Sequence, residues 1–130
     1  MLKDTFFTIL SSENTESGRT CRIALNASHP IFQAHFAGNP IMPGACIVQM
    51  IKELTADYFD RTFFVCAVKN MKFLHAINPL ESLEISVILS FAQQENNRIS
   101  VSTVLSNADM VFVKSGLTLS SPTVLSPVNR

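Results

Sequence analysis

Residues 28–42 (SHPIFQAHFAGNPIM) string aromatic and aliphatic side chains along a backbone that Pro30, Gly38 and Pro40 interrupt. Helix interiors and central strands exclude proline, so the segment reads as a loop. It is too apolar to be merely solvated, and such a loop lines something. Directly behind it, Pro43 fits the first position of a helix, where its missing N–H costs nothing. Ile47, Met50, Ile51, Leu54 and Tyr58 then recur at helical spacing as one apolar stripe. Ala45, Cys46 and Val48 leave the first half apolar or small all round. Lys52, Glu53, Asp57 and Asp60 make the second half amphipathic. The chain must therefore bury the start of a helix on all sides.

The flanking segments have a period of two, which predicts strands. Residues 5–10 and 20–26 read as a hairpin joined by a polar turn at 11–19. After Arg61, strands are expected at about 63–74, 82–91, 98–106 and 109–119. Asn78-Pro79, Gln94 to Asn97 and a tight hairpin at Asn107-Ala108-Asp109 separate them. The tail at 121–130 carries two prolines and reads as loose. Two strands, one buried helix and four further strands make an α+β arrangement in which an antiparallel sheet covers the helix. At 130 residues, one domain spanning 1–130 is expected.

Charged residues are 15% of the chain, against about 25% in an average protein. So few charges suggest that part of the exterior is covered, most simply by a second copy. Formal net charge is zero and no run of Lys or Arg occurs, which argues against nucleic acid or a membrane surface as partner. Cys21, Cys46 and Cys66 show no short metal-type spacing and read as reduced thiols of a cytoplasmic protein. No apolar run is long enough to span a membrane, and the first residues do not resemble a signal peptide.

Chemistry concentrates between His29 and Leu54. His35 sits among Phe32, Phe36, Ile41 and Met42, a setting that disfavours the imidazolium and leaves a neutral base. Pro43-Gly44 opens the helix, whose first N–H groups lack partners and can polarise a carbonyl or hold an oxyanion. Gly44 lets a substrate approach the backbone. A base beside such a site suits proton abstraction next to a carbonyl. The alternative is a hydrogen-bonded structural histidine before an ordinary Pro-Gly helix start, and spacing alone does not separate the two.

The run His35 to Ile51, HFAGNPIMPGACIVQMI, resembles the hallmark of the β-hydroxyacyl-acyl-carrier-protein dehydratases, roughly H-F-P-G-x-P-x-M-P-G before an apolar helix. His35, Phe36, Gly38, Pro40, Met42, Pro43 and Gly44 match in register. Residues 67–85 (AVKNMKFLHAINPLESLEI) are similar to a later strand and turn of the family. The resemblance implies a hot-dog fold and a homodimer with active sites at the subunit interface. It also implies dehydration of a 3-hydroxyacyl thioester to the trans-2-enoyl thioester, in fatty-acid or polyketide-type synthesis. The substrate would ride on the phosphopantetheine of an acyl carrier protein, with no metal or dissociable cofactor. By the same resemblance His35 removes the proton and the Gly44 N–H holds the thioester oxygen. Phe36, Met42, Pro43 and Cys46 are the other expected substrate contacts.

The sequence departs from the family at Gln49, where the helix should carry Glu or Asp, and at Ala37, where proline is usual. An amide can donate a hydrogen bond to the departing hydroxyl but cannot deliver a proton, and general acid–base assistance is worth about 10²–10⁴-fold. Cys46, Gln49, Glu53 and Asp57 fall on one helical face. Glu53, about 5.4 Å beyond Gln49, is a possible relay through water, or else a solvated or salt-bridged helix residue. His29 and His75 read as structural or carrier-contacting, and Lys69, Lys72 and Arg98 as carrier-contacting or solvated. Three functions follow: a dehydratase with Gln49 holding the hydroxyl, a non-catalytic or heterodimeric acyl-thioester-binding subunit, and a hot-dog thioesterase.

Overall fold

The computed structural model describes residues 2–34 and 41–122, apart from the side chains of Gln33 and Ala34. Among these residues the strands are β1 (Phe7–Asn14), β2 (Gly18–Leu25), β3 (Phe64–Phe73), β4 (Glu84–Gln93), β5 (Arg98–Ser106) and β6 (Val111–Ser120). The helices are α1 (Pro30–Ala34) and α2 (Gly44–Phe59). All six strands join one antiparallel sheet in the order β1-β2-β4-β5-β6-β3.

The sheet presents one alternating apolar face. Cys21, Ile23 and Leu25 of β2, Ile85, Val87 and Leu89 of β4, and Ile99, Val101 and Leu105 of β5 are buried, as are Val113, Leu117 and Leu119 of β6. They share a single core with Ile47, Met50, Ile51 and Leu54 of α2. Each such aliphatic side chain, fully buried, contributes about 1.5–3 kcal/mol, so the stripe outweighs any intrinsic helix preference. Shifts of register at two places in β3 and one in β1 interrupt the regular pairing, as bulges do where a sheet bends.

Arg19 fixes the far end of the helix. Its buried guanidinium donates from Nη1 to the Leu54 carbonyl at 3.0 Å, and Nη2 lies 2.8 Å from the Asp57 carboxylate. Beyond it Asp60 adopts the left-handed conformation (φ 54°) and returns its N–H to the Ala56 carbonyl, ending α2.

Five expectations need correction. The start of α2 is buried on one face and not on all sides: Ala45 is exposed and Val48 only half-buried, because the sheet covers the helix from one side. β1 runs through Ser11–Asn14, which had read as turn, and the reversal is confined to Thr15–Ser17, where the Thr15 N–H meets the Gly18 carbonyl at 2.9 Å. That half of β1 is exposed at the sheet edge, so no apolar alternation marks it. The supposed loop contains the short helix α1, which Pro30 begins without loss because it stands at the start. β4 spans 84–93 instead of 82–91, since Leu83 is exposed and ends the preceding turn. Glu53, expected on the amphipathic half, is buried. His35, Phe36, Ala37, Gly38 and the tail from residue 123 lie outside the described residues.

Gly18 opens β2 where the neighbouring backbone leaves no room. A Cβ there would stand 2.4 Å from the Leu89 carbonyl oxygen, an atom fixed by the sheet. Gly18→Ala is expected to cost about 1–3 kcal/mol, read as a lower urea midpoint at unchanged slope.

Candidate active site

The residues just before α2 are held by the chain that follows β3. Met42 is buried, and its N–H meets the Ile77 carbonyl at 2.8 Å. Leu74 and His75 in turn donate their N–H groups to the Phe112 carbonyl at 2.8 and 3.2 Å. At these segments lies a pocket of about 320 Å³, lined by Met42, Pro43, Gly44 and Ile47, by Phe73 to Ile77 and by Val113.

Pro43 precedes the helix in an extended conformation (ψ 150°), and none of the described side chains caps the helix start. The Pro43 carbonyl accepts from Cys46 and Ile47 at 3.0 and 3.2 Å. Gly44 stands at the mouth of the helix dipole, where an N–H can stabilise negative charge on oxygen. A Cβ at Gly44 would lie 3.2 Å from the Phe73 ring and 3.9 Å from the Met71 sulfur. Glycine therefore lets the ring close over the helix start. Phe73 is nonetheless 55% exposed, so the aromatic wall has one face free.

The structure brings Met42, Pro43 and Gly44 together and leaves Cys46, Gln49 and Glu53 off this pocket's wall. Gln49 lies about 200° around the helix axis from Ile47, at about 100° per residue. Its amide Nε2 donates to Glu53 Oε2 at 2.8 Å. Glu53 also accepts from the backbone amides of Leu2 (Oε2, 2.7 Å) and Lys3 (Oε1, 2.8 Å). Both carboxylate oxygens are thus engaged by protein donors, and Glu53 ties the first residues of the chain to α2. Cys46 is buried, and burial raises its thiol pKa. Burial also raises that of Cys21, with the Arg19 guanidinium opposing.

His29 serves its own segment. Its Nδ1 accepts from the Ile31 N–H at 3.1 Å, and its ring meets Phe6 edge-on at 5.2 Å. His75 lies on the pocket wall. Lys69 and Lys72 are exposed on β3, and Arg98 lies at another pocket near the end of α2. The sequence reading missed the wall formed by Phe73 to Ile77. A signal was present: alternation stops there, and LHAI runs apolar up to Asn78-Pro79.

A sheet of six antiparallel strands over one long central helix is the hot-dog fold, and solved structures agree. The dehydratase heterocomplex ApeI:P from Xenorhabdus doucetiae superimposes with a TM-score of 0.66 at 14% identity, covering 87% of this chain and 96% of that one. A mutant of thioesterase PA1618 from Pseudomonas aeruginosa gives 0.57 at 13% identity, covering 84% and 77%. The family model described as ApeI-like, ApeI dehydratase, matches residues 11–114, and this chain belongs to that family.

Among curated proteins, the 3-hydroxyacyl-[acyl-carrier-protein] dehydratase FabZ of Latilactobacillus sakei is 34% identical over 92 residues, which is 65% of this chain and 64% of that protein. The match therefore spans slightly less than two thirds of that relative's length. FabZ of Levilactobacillus brevis is 28% identical over 106 residues, 76% of this chain and 70% of that protein.

Exposure separates the three thiols. Cys66 is exposed, whereas Cys21 and Cys46 are buried with raised pKa values and keep their protons at neutral pH. A disulfide reagent at neutral pH is expected to modify Cys66 alone in the folded protein and all three after denaturation, as counted by intact mass.

Proposed function

We propose that this chain dehydrates a 3-hydroxyacyl thioester to the trans-2-enoyl thioester, acting on a substrate carried by an acyl carrier protein. The observation that carries this reading is membership of a dehydratase family together with an uncapped helix start on the wall of an apolar pocket. His35 removes the proton from the carbon next to the carbonyl. The Gly44 N–H receives the charge that develops on the thioester oxygen. Met42, Pro43 and the Phe73 wall exclude water from the acyl chain, and Phe36 and Cys46 complete the substrate contacts. Gln49 holds the departing hydroxyl by a hydrogen bond and supplies no proton, which leaves the elimination weaker than with a carboxylic acid.

The pocket at Gly44 and the Gln49 amide lie on different sides of one helix, so a single chain does not offer both to one substrate. We infer a site assembled from two chains, one giving His35 and Gly44 and the other giving residue 49. The surface of β3 supports this. It is an edge strand, and Phe64, Val65, Val68 and Phe73 stand exposed along it. An apolar edge of that kind calls for a second chain.

The second chain is either another copy or a related chain bearing the missing carboxyl. The heteromeric reading is favoured by Gln49 itself and by a fold neighbour named as a dehydratase heterocomplex. Lys72 and Lys114 are paired directly across β3 and β6, both exposed. Like charges so placed repel, and an acidic carrier surface relieves them. The thioesterase neighbours share the fold and offer no further support for hydrolysis.

Enoyl thioester absorbance tests the reaction. Activity of the protein alone that His35→Ala abolishes supports a self-sufficient enzyme. A silent wild type revived by Gln49→Glu, or by a related partner chain, supports the heteromer. For an active homodimer, inactive His35→Ala and Gln49→Ala variants refolded together should recover about a quarter of wild-type activity, because half of random dimers carry one intact composite site of two. No recovery on mixing would place both groups in one chain. Lys72→Glu with Lys114→Glu should raise KM for a carrier-bound substrate several-fold and leave kcat unchanged.

A further inference from the structure

Glu53 belongs to a feature the dehydratase reading leaves unexplained. It is a buried carboxylate that accepts three hydrogen bonds, two from the backbone of Leu2 and Lys3 and one from the Gln49 amide. The two backbone donors are separated from it by 51 and 50 residues of chain, so the contact is tertiary. An exposed i,i+4 pair is worth a few tenths of a kcal/mol and wanders among rotamers. Here the acceptor is held from two further directions and is withdrawn from water.

A glutamine amide has two ends of similar shape and opposite hydrogen-bonding character. A carboxylate accepts only, so it selects the Nε2 end of Gln49 and leaves Oε1 and one N–H free to turn elsewhere. We propose that Glu53 is the positioning residue of Gln49: anchored by the first residues of the chain, it fixes which way round the amide is presented. This rests on the reading of Gln49 as the group that meets the substrate hydroxyl. It also assigns the first residues of the chain a part in the site, through the carboxylate they hold. Glu53 acts in this arrangement as an acceptor that orients the amide and not as a relay to the substrate.

The same geometry explains why glutamine stands at position 49. A second carboxyl there would meet Glu53 at hydrogen-bond distance, and two carboxylates in contact cannot both be ionised without strong repulsion. The surrounding charges are Lys3, Asp57, Asp60 and Arg61, which share a groove with Glu53. Asp57 is already paired with Arg19. Glutamine satisfies Glu53 with no proton shared.

The test compares Gln49→Glu with the exchanged double variant Gln49→Glu/Glu53→Gln, which keeps one donor and one acceptor at the two positions. The side-chain carboxyl introduced at position 49 is titrated directly by carbon-13 NMR, with no substrate present. In the single variant it should titrate at least one pH unit higher than in the exchanged double variant, because only there does it face Glu53. In enoyl-forming assays the limb of the pH profile that reports this carboxyl should move in the same direction.

Glu53→Ala in the wild-type background should lower kcat several-fold at nearly unchanged KM. The exchanged variant should recover at least half of the folded-state melting temperature lost in Glu53→Ala. Superimposable titrations in the two position-49 variants would overturn the positioning role, whatever the activity. A raised titration in the single variant, with no variant dehydrating any thioester alone or with a related partner chain, would retain the Glu53–Gln49 coupling and defeat the dehydratase reading instead.

Discussion

The fold turns on burial of one face of the first two turns of α2. Cys46, Ile47, Met50 and Ile51 are all inside, in one core with buried residues of β2, β4, β5 and β6. A helix start is the worst part of a helix to bury, because its leading N–H groups have no partners within it. The chain solves this by placing the start at the wall of a pocket, with Pro43 removing one donor and the Pro43 carbonyl taking two others. What remains at the helix start are the amides of Gly44 and Ala45. The helix start thus keeps leading amides without a helical partner beside the pocket wall.

That constraint accounts for the surroundings. Met42 must be pinned for Pro43 to enter the helix at the right angle, and the bond to Ile77 pins it. Ile77 can be reached because Leu74 and His75 are themselves fastened to β6 through Phe112. Phe73 then covers the glycine, an arrangement any larger residue at 44 would disturb. Apolar packing at the helix start, a short stretch of irregular chain and one ring together define the pocket.

Legibility in the sequence followed how far each element is buried on one face. β5, with Ile99, Val101 and Leu105 alternating against Ser100 and Ser102, was placed at 98–106 as observed. The helix stripe was equally plain. The second half of β1 carries no such mark, because Ser11 to Asn14 are exposed and alternate nothing. The strand order, which sends β3 to the far edge beside β6, leaves no trace in local periodicity, since an edge and a centre can share one pattern. The burial of Glu53 leaves no trace in the sequence, because beside Gln49 its partners are the backbone amides of Leu2 and Lys3, and main-chain donors have no sequence signature. Gly44 and its neighbours were legible through the family motif more than through their physics; His35, the other half of that motif, lies outside the described residues.

β3 combines two properties that would conflict on an ordinary edge strand. Edges are commonly guarded by lysine, which discourages pairing with another chain. Lys69 and Lys72 fit that pattern, and Lys72 faces Lys114 across the ladder. Yet Val65, Val68 and Phe73 leave the same strand with a large exposed apolar surface. A strand that only needed protection would not keep both. The lysines penalise indiscriminate edge-to-edge association, while the apolar side chains favour a partner whose own surface covers them. Guarding lysines and exposed apolar side chains thus share one strand, whose end at Phe73 forms part of the Gly44 pocket.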